Sequence, residues 1–264
     1  MEKIKILREK TGVGVVDCKQ ALEEASGDVE KAMEILRKKG ISKAAKRSDR
    51  ETHEGLIKLA VNNNTAGFIV EMNAETDFVV RNEKFQELAE KILQLIKVKQ
   101  PKNKEELVSL FFNKATVKEE LDNLSGVIGE KLEIKRYDML VSDGTMASYL
   151  HTGGKVGVLV SLDKTDKSEL AHEIAMQIAA ANPKYILPEQ VPVEEVSKEK
   201  EIYREQLKKE GKPENIIEKI ISGKLNKYYE EVCLVKQEYI KDETKRVSDI
   251  LGEVKVERFI RYSL

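Results

Sequence analysis

Apolar side chains recur at helical spacing in three short blocks within the first 40 residues. Ile4 and Leu7 mark the first block, and the next two repeat the i, i+3, i+4, i+7 pattern of one helix face. Those two blocks are Cys18, Ala21, Leu22 and Ala25, then Val29, Ala32, Met33 and Leu36. Gly12 and Gly27 break the pattern, Asp28 is placed to cap the third helix, and Gly40 is placed to end it. The pattern predicts a three-helix module with Cys18 in its core.

From Gly55 the apolar period changes to two, which indicates β-strands. Ile57, Leu59 and Val61 alternate on one side of a turn at Asn62 to Asn64, and Phe68, Val70 and Met72 alternate on the other. This pattern predicts a β-hairpin that opens a new domain. Helical spacing resumes from Phe85 to Ile96, and after Pro101 a charged helical stretch is predicted to about Ile128.

A second group of alternating segments is predicted as a second sheet. Its members are Leu132 to Leu140, Met146 to Leu150 and Val156 to Leu162, with Gly-containing turns between them. A helix bearing Leu170, Ile174 and Ile178 follows and cannot continue beyond Pro183. The predicted fold class is α+β, with two small antiparallel sheets covered by helices.

Residues 193–229 are long, charged and weakly apolar, with Gly211-Lys212-Pro213 in the middle. They predict an inserted helical hairpin that could pair two chains, since weak apolar stripes on exposed helices can associate. A strand at Val232 to Val235, a helix at about Thr244 to Leu251 and a strand at Val254 to Ile260 should then rejoin the second sheet. The predicted domains are therefore 1–54, 55–130 and 131–264, the last containing the hairpin.

Charge and composition exclude few functions. The 46 Lys and Arg nearly balance the 47 Asp and Glu, so no overall attraction to nucleic acid or to an acidic membrane is expected. Apolar runs are far shorter than a membrane span needs, and the start lacks the hydrophobic region of a signal peptide, so a cytoplasmic location is expected.

Residues Arg37 to Arg50 carry seven basic residues and one acidic residue. A solvated linker is favoured over an RNA-binding arm there, because no aromatic residues interleave to stack on bases.

Motifs for covalent chemistry fail on spacing. His172-Glu173 is followed by Met176 where a zinc site needs a second His, and Gly154-Lys155 lacks the flanking residues of a phosphate-binding loop. Cys18 lies on an apolar helix face, which is typical of a core residue rather than a nucleophile. We therefore expect no catalytic residue, no metal site and no cofactor, and a protein that works by binding.

The stretch Glu75-Thr76-Asp77-Phe78-Val79-Val80-Arg81-Asn82 resembles the Thr-Asp-Phe-Val signature of the elongation factor Ts family. The first helices also resemble that family's amino-terminal module, which is similar to ubiquitin-associated domains. The residues that match there include Leu7-Arg8, Thr11-Gly12, Asp17-Cys18-Lys19, Gly27-Asp28 and Leu36-Arg37. Gly157 to Val160 and Arg258 to Arg261 match as well, so the resemblance covers essentially the whole chain. Val15-Val16 stand where the family commonly has bulkier Met or Phe.

The resemblance implies a guanine-nucleotide exchange factor that binds elongation factor Tu, both GDP-bound and nucleotide-free, without binding nucleic acid directly. Asp77 and Phe78 would act as a wedge beside the bound magnesium ion, and Thr76 and Val79 would shape the loop. Secondary contacts with the partner are expected at Val15, Val16, Lys19, Val156, Gly157 and Gln177.

Two alternatives remain open at this stage. On pattern alone, Phe78 is a core aromatic after a strand and Asp77 is a turn residue. The competing function is an RNA-associated adaptor that uses the three-helix module and residues 37–50.

Overall fold

A computed structural model describes residues 1–112 and 115–264. The first three helices are α1 (Glu2–Thr11), α2 (Val15–Glu24) and α3 (Val29–Ala45). Their shared core contains Leu7, Cys18 and Leu22, as the apolar pattern predicts. Asp28 caps α3 by accepting hydrogen bonds from the N–H groups of Glu30 at 2.9 Å and Lys31 at 3.1 Å, which confirms that helix start. The predicted three-helix module is thus present.

The third helix passes through Gly40 and ends at Ala45, so the prediction that Gly40 ends it is wrong. A seventh helix, α7 (Val117–Ile128), crosses α3 at this glycine. A Cβ added at Gly126 of α7 would lie 2.5 Å from the Gly40 Cα, a separation that real side chains do not tolerate. Glycine here therefore serves close packing of two helix backbones rather than helix termination.

The first sheet is antiparallel and has three strands in the order β1-β2-β5. Its strands are β1 (Glu54–Asn62), β2 (Ala66–Ala74) and β5 (Leu132–Val141). The hairpin predicted from Gly55 onward is confirmed. Grouping Leu132 to Leu140 with the later strands is wrong, because β5 pairs with β2 from Ala66↔Val141 to Ala74↔Leu132. Alternation shows that a segment is a strand but does not identify its partner.

Helices and short strands between β2 and β5 cover the first sheet. They are α4 (Asp77–Val80), α5 (Glu83–Lys99), α6 (Lys104–Ser109), β3 (Phe111–Phe112), β4 (Ala115–Thr116) and α7. The apolar face of α5, including Phe85, Leu88, Ile92 and Ile96, is buried against β2 as its spacing predicts. Residues 113 and 114, which fall within the predicted charged helical stretch, lie outside the described residues.

The second sheet has the order β10-β7-β6 and is also antiparallel. Its strands are β6 (Thr145–Leu150), β7 (Val156–Leu162) and β10 (Val256–Ser263), and α8 (Ser168–Ala181) packs on it. The last strand rejoins this sheet as predicted. A Cβ at Gly157 would lie 2.6 Å from Ile57 Cγ2 of the first sheet, so Gly157 allows the two sheets to pack closely.

The predicted helical hairpin consists of α9 (Val193–Lys209) and α10 (Glu214–Val232). The strand predicted at Val232 to Val235 is wrong, because α10 continues to Val232 and a 3₁₀ turn occupies Leu234–Lys236. Burial of Tyr228 and Val232 one helical turn apart keeps the helical period running to that point. The remaining elements are β8 (Glu238–Tyr239), β9 (Asp242–Arg246) and α11 (Val247–Leu251).

The predicted α+β class, with small antiparallel sheets and helices on them, is confirmed. The domain bounds 1–54, 55–130 and 131–264 stay predictions, although β5 places residues 132–141 in the first sheet. None of the helices in the described ranges combines the length and the apolar composition that a membrane span requires.

Candidate functional site

The candidate site is the short helix α4, which follows β2 directly and carries the signature residues. Phe78 is 80% exposed, whereas its neighbour Val79 is only 6% exposed and packs into the core beneath the first sheet. The interpretation of Phe78 as a core aromatic is therefore wrong. One residue of the pair anchors the helix and the other projects from it, because residues adjacent on a helix face in different directions.

The chain entering α4 is held by two carboxylates. Glu130 accepts hydrogen bonds from the Thr76 N–H at 3.0 Å and from the Thr76 hydroxyl at 2.8 Å. Glu75 accepts one from the Lys131 N–H at 2.6 Å. The two segments 75–76 and 130–131 thus hold each other reciprocally, and we call this set of contacts the Thr76–Glu130 clamp. It stabilises the approach to α4, in addition to the Val79 anchor.

Asp77 begins α4 and forms an ion pair with Arg81 one turn later, at 2.9 Å between Oδ2 and Nη2. Both side chains are largely exposed, so this pair contributes little to stability and is easily exchanged for another partner. A carboxylate at the first position of a helix is also favoured by the helix dipole. Asp77 is therefore an available acceptor beside Phe78.

Glu75, the second carboxylate of the clamp, accepts hydrogen bonds from both Lys131 and Arg50. Burial raises the pKa of its carboxyl, but hydrogen bonds from the Lys131 N–H and from Arg50 outweigh burial, and the pKa lies below its usual value. Arg50 Nη1 approaches the two carboxylate oxygens at 3.1 and 3.2 Å. Glu75 is thus ionised at neutral pH, and its carboxylate joins Arg50 and Lys131 at the approach to α4.

The three residues predicted as contacts in the amino-terminal module are all exposed. Val15 is 49% exposed and Val16 is 70% exposed at the start of α2, and Lys19 is exposed one turn later. Gly12, which follows α1, lies against the side chain of Lys84 in the first turn of α5.

The remaining predicted contacts lie elsewhere. Val156 is half-buried at the start of β7, and Gly157 is buried between the two sheets. Gln177 is fully buried, so the expectation that its side chain faces a partner surface is wrong. Its amide donates to the Glu238 carbonyl at 3.0 Å and accepts from the Ile240 N–H at 2.8 Å, which ties α8 to β8. A buried side-chain amide needs such partners.

The basic stretch from Arg37 to Arg50 is largely engaged within the chain. Five of its basic residues make ion pairs or hydrogen bonds: Arg37 with Glu119, Lys39 with Glu24, Lys43 with Asp17, Arg47 with the Ser125 carbonyl, and Arg50 with Glu75. The contacts of Arg37, Arg47 and Arg50 attach the module and linker to the rest of the protein, whereas those of Lys39 and Lys43 join α3 to α2 within the module. They also lower the positive charge that the stretch presents to solvent.

Sequence reasoning missed Glu130 and Arg81 as members of the site. Arg81 lies inside the signature stretch, and its i, i+4 relation to Asp77 was a usable signal. Glu130 is 54 positions from Thr76, and no local pattern connects the two. Across the described ranges, 1–112 and 115–264, no three His, Cys, Asp or Glu side chains come together as a metal site.

Comparison with known proteins gives a consistent family. The sequence model described as Elongation factor TS matches residues 75–264, a range that begins at Glu75 of the clamp. Elongation factor Ts of Prosthecochloris aestuarii is 45% identical over 99% of this chain and 96% of its own length. Those of Hydrogenobaculum sp. and of Clostridium botulinum are 46% and 43% identical, over 100% and 98% of this chain and 97% and 90% of their own lengths. The chain therefore belongs to the elongation factor Ts family.

Proposed function

We propose that this chain is a guanine-nucleotide exchange factor that binds elongation factor Tu and promotes release of GDP during translation elongation. It would do so without covalent chemistry, by disturbing the magnesium and phosphate site of its partner. The observation that carries the proposal is the exposure of Phe78, a large aromatic side chain that projects from α4. That helix is held by Val79 in the core and by the Thr76–Glu130 clamp.

An exposed phenylalanine on a well-held helix is suited to act as a wedge. Phe supplies rigid apolar volume with few rotatable bonds, so little side-chain entropy is lost when it enters a partner. Val79 and the Thr76–Glu130 clamp fix the backbone from which Phe78 projects. A functional side chain is effective when its support is rigid, because displacement by about 1 Å weakens the geometry it must impose.

The wedge would lower the affinity for GDP through the bound magnesium ion. Mg²⁺ bridges nucleotide phosphates and neutralises their charge, and it requires near-ideal octahedral coordination. A small shift of its ligands therefore costs much binding free energy. Asp77 would exchange its ion pair with Arg81 for donors on the partner, since charge-assisted hydrogen bonds are the stronger kind.

The amino-terminal module would supply a second point of contact with the nucleotide-binding domain of elongation factor Tu. Val15 and Val16 offer a small apolar surface there, and Lys19 offers a charge. Val156, half-buried at the start of β7, would supply a further contact with the partner. Two separate contacts with one partner fix the orientation of that partner. A fixed orientation would direct Phe78 to a single place beside the magnesium ion.

The direct experiment loads elongation factor Tu with fluorescent GDP and follows its release into excess unlabelled GDP. Addition of this chain should accelerate release, and the acceleration should saturate with concentration as the complex fills. Release at the unstimulated rate, with a complex shown to form on nucleotide-free elongation factor Tu, would contradict the proposed exchange function.

The competing function, an RNA-associated adaptor, requires free positive charge on residues 37–50. Four of those basic residues form ion pairs within the chain and a fifth, Arg47, bonds to a backbone carbonyl, which favours the exchange factor. Salt dependence separates the two functions. RNA affinity that falls steeply with ionic strength would support the adaptor.

We also propose that the helical hairpin can pair two chains, and that the protein works in the cytoplasm with the translation machinery. Ile202 and Ile216 are each more than one third exposed on the hairpin, one on each helix. Light scattering over a range of protein concentrations tests the pairing. A molecular mass of one chain at every concentration would exclude it.

A further inference from the structure

We infer that Glu130 is a positioning residue for the Phe78 wedge: its carboxylate holds Thr76 so that α4 presents Phe78 in one orientation. The inference rests on the proposed exchange function and adds a residue outside the signature. Glu130 Oε2 accepts from the Thr76 N–H at 3.0 Å, and Oε1 accepts from the Thr76 hydroxyl at 2.8 Å. One carboxylate thus binds both polar groups of the residue that precedes the helix.

The position of the clamp explains why it controls α4. Pairing of β2 with β5 ends at Ala74↔Leu132, and the next residues on each strand are Glu75 and Lys131. The Lys131 N–H donates to the Glu75 carboxylate at 2.6 Å, and Glu130 then binds Thr76. Side chains therefore continue the strand contact for two more residues, up to Thr76, the N-cap residue of α4. Without them the chain would be free directly after Ala74.

Glu130 is itself firmly held. The Ser125 hydroxyl donates to the Glu130 carbonyl at 2.6 Å, and Ser125 is buried. Gly129 ends α7 in the left-handed conformation with φ of 92°, and its N–H donates to the Ser125 carbonyl at 2.8 Å. Glu130 is therefore fixed by the end of a helix that packs on the first sheet, and it transmits that rigidity to Thr76.

The helix that bears Phe78 depends on this external support. Four residues are too few for a helix to be stable by itself, because its nucleation is unfavourable. Thr76 occupies the N-cap position, where a hydroxyl commonly bonds to a helix N–H. Here the hydroxyl donates to Glu130 instead. Loss of Glu130 should therefore leave Val79 as the anchor and let α4 rotate about it.

The chain offers both a conservative variant and a matched control. In Glu130→Gln the amide oxygen can accept from the Thr76 N–H. The amide NH₂ can donate to the Thr76 hydroxyl, because a hydroxyl oxygen can accept a hydrogen bond as well as donate one. Glu130→Ala removes both bonds. Glu133 lies three residues later, accepts from the Thr52 hydroxyl at 2.6 Å and pairs with Lys131 Nζ at 3.8 Å. Glu133→Ala therefore removes a similar carboxylate–threonine contact and leaves both bonds of Glu130 to Thr76 in place.

The experiment measures release of fluorescent GDP from elongation factor Tu over a range of exchange-factor concentrations, which separates the maximal rate from the half-saturating concentration. Glu130→Ala should lower the maximal rate by about 10- to 100-fold, the range expected for a misplaced group, and change the half-saturating concentration far less. Glu130→Gln should recover most of the rate, and Glu133→Ala should match the parent. In Phe78→Ala, adding Glu130→Ala should cause little further loss, because the two residues act as one unit.

Different results overturn different claims. If Phe78→Ala is slow but Glu130→Ala matches the parent, the positioning role is wrong and the wedge stands. If the parent itself does not accelerate release, the proposed function fails and the positioning role fails with it. If circular dichroism shows that Glu130→Ala is unfolded, Glu130→Asp decides: its side chain is one methylene shorter, so its carboxylate should not bind both polar groups of Thr76 and the maximal rate should fall. A folded Glu130→Asp variant that matches the parent would overturn the inference.

Discussion

Gly126 lies where α7 crosses α3, and alanine at this position should loosen the amino-terminal module. The added Cβ would lie 2.5 Å from the Gly40 Cα and 3.1 Å from the Gly40 carbonyl carbon and oxygen. These are backbone atoms, so no side chain can rotate away and the helices must separate. The opposite substitution, Gly40→Ala, is different: its Cβ would meet the Gly126 Cα at 3.8 Å, an ordinary contact.

The two variants differ in where alanine acts. Alanine in place of glycine within a helix gains roughly 1 kcal/mol from helix propensity, and for opening of α3 this gain applies to Gly40→Ala, because Gly126 lies in α7. Overpacking costs about 1–3 kcal/mol and applies to Gly126→Ala. We therefore expect the free energy for opening α3 to rise by up to about 1 kcal/mol in Gly40→Ala. In Gly126→Ala it should fall below that of the parent by about 1–3 kcal/mol.

Native-state hydrogen exchange of the α3 amides measures this difference directly. A loss of about 1–3 kcal/mol corresponds to exchange that is about 5- to 150-fold faster in Gly126→Ala than in the parent, whereas exchange in Gly40→Ala should be no faster than in the parent. The Arg37–Glu119 ion pair and the hydrogen bond from Arg47 to the Ser125 carbonyl flank the crossing and should weaken together with it. Equal protection of α3 in both variants would refute the close packing of the two glycines.

Three further predictions concern stability and reactivity. The pKa of Glu75 is lower in the folded protein than its ordinary value of 4.5, so the hydrogen bonds of its carboxylate stabilise the fold fully above pH 4.5. This stabilisation is lost as the pH falls through the pKa that Glu75 has in the folded state. Urea unfolding should therefore show Glu75→Gln less stable than the parent at pH 7, with the gap closing toward pH 3. Replacing residues 200–224 with a short Gly/Ser linker should leave one cooperative melting transition by circular dichroism, because Leu207, Ile217 and Ile221 pack within the hairpin; a molten product would contradict this. Burial raises the pKa of the Cys233 thiol to about 11, so iodoacetamide at pH 8 should alkylate it about 100-fold faster after unfolding, as followed by mass spectrometry. Fast native labelling would argue against that burial.

Local patterns in the sequence were sufficient for most individual elements. Period two marked β1 and β2, and helical spacing marked α5 and α8, because burial on one face imposes these periods wherever an element covers a core. Asp28 was recognisable as a cap for the same local reason. Such features depend on a few neighbouring residues, which the sequence displays directly.

Features that depend on distant residues were not predictable in this way. Gly40 looked like a helix end because the crossing with Gly126 is invisible in the local pattern. β5 was assigned to the wrong sheet because alternation carries no information about the pairing partner. Gln177 was expected at a surface, whereas tertiary hydrogen bonds satisfy its buried amide.

The candidate site shows the same division. The signature from Thr76 to Val79 was recognisable by resemblance, and exposure of Phe78 agrees with the wedge it implies. The support of that wedge was not recognisable, because Glu130 reaches Thr76 only through the pairing of β2 with β5. Family resemblance points to the residues that act, whereas the structure is needed to find the residues that hold them.

Release of GDP by the Phe78→Ala variant tests the wedge most directly. If exchange works by differential binding, this chain and GDP with Mg²⁺ weaken each other's affinity for elongation factor Tu by the same factor. Phe78→Ala removes the wedge and leaves Val79, the clamp and the module in place. Circular dichroism should first show a native fold. Stimulated GDP release should then fall by about tenfold or more, a rise of at least ~1.4 kcal/mol in the activation free energy of release, with a much smaller change in affinity for nucleotide-free elongation factor Tu. A well-folded Phe78→Ala variant that releases GDP as fast as the parent would contradict the account.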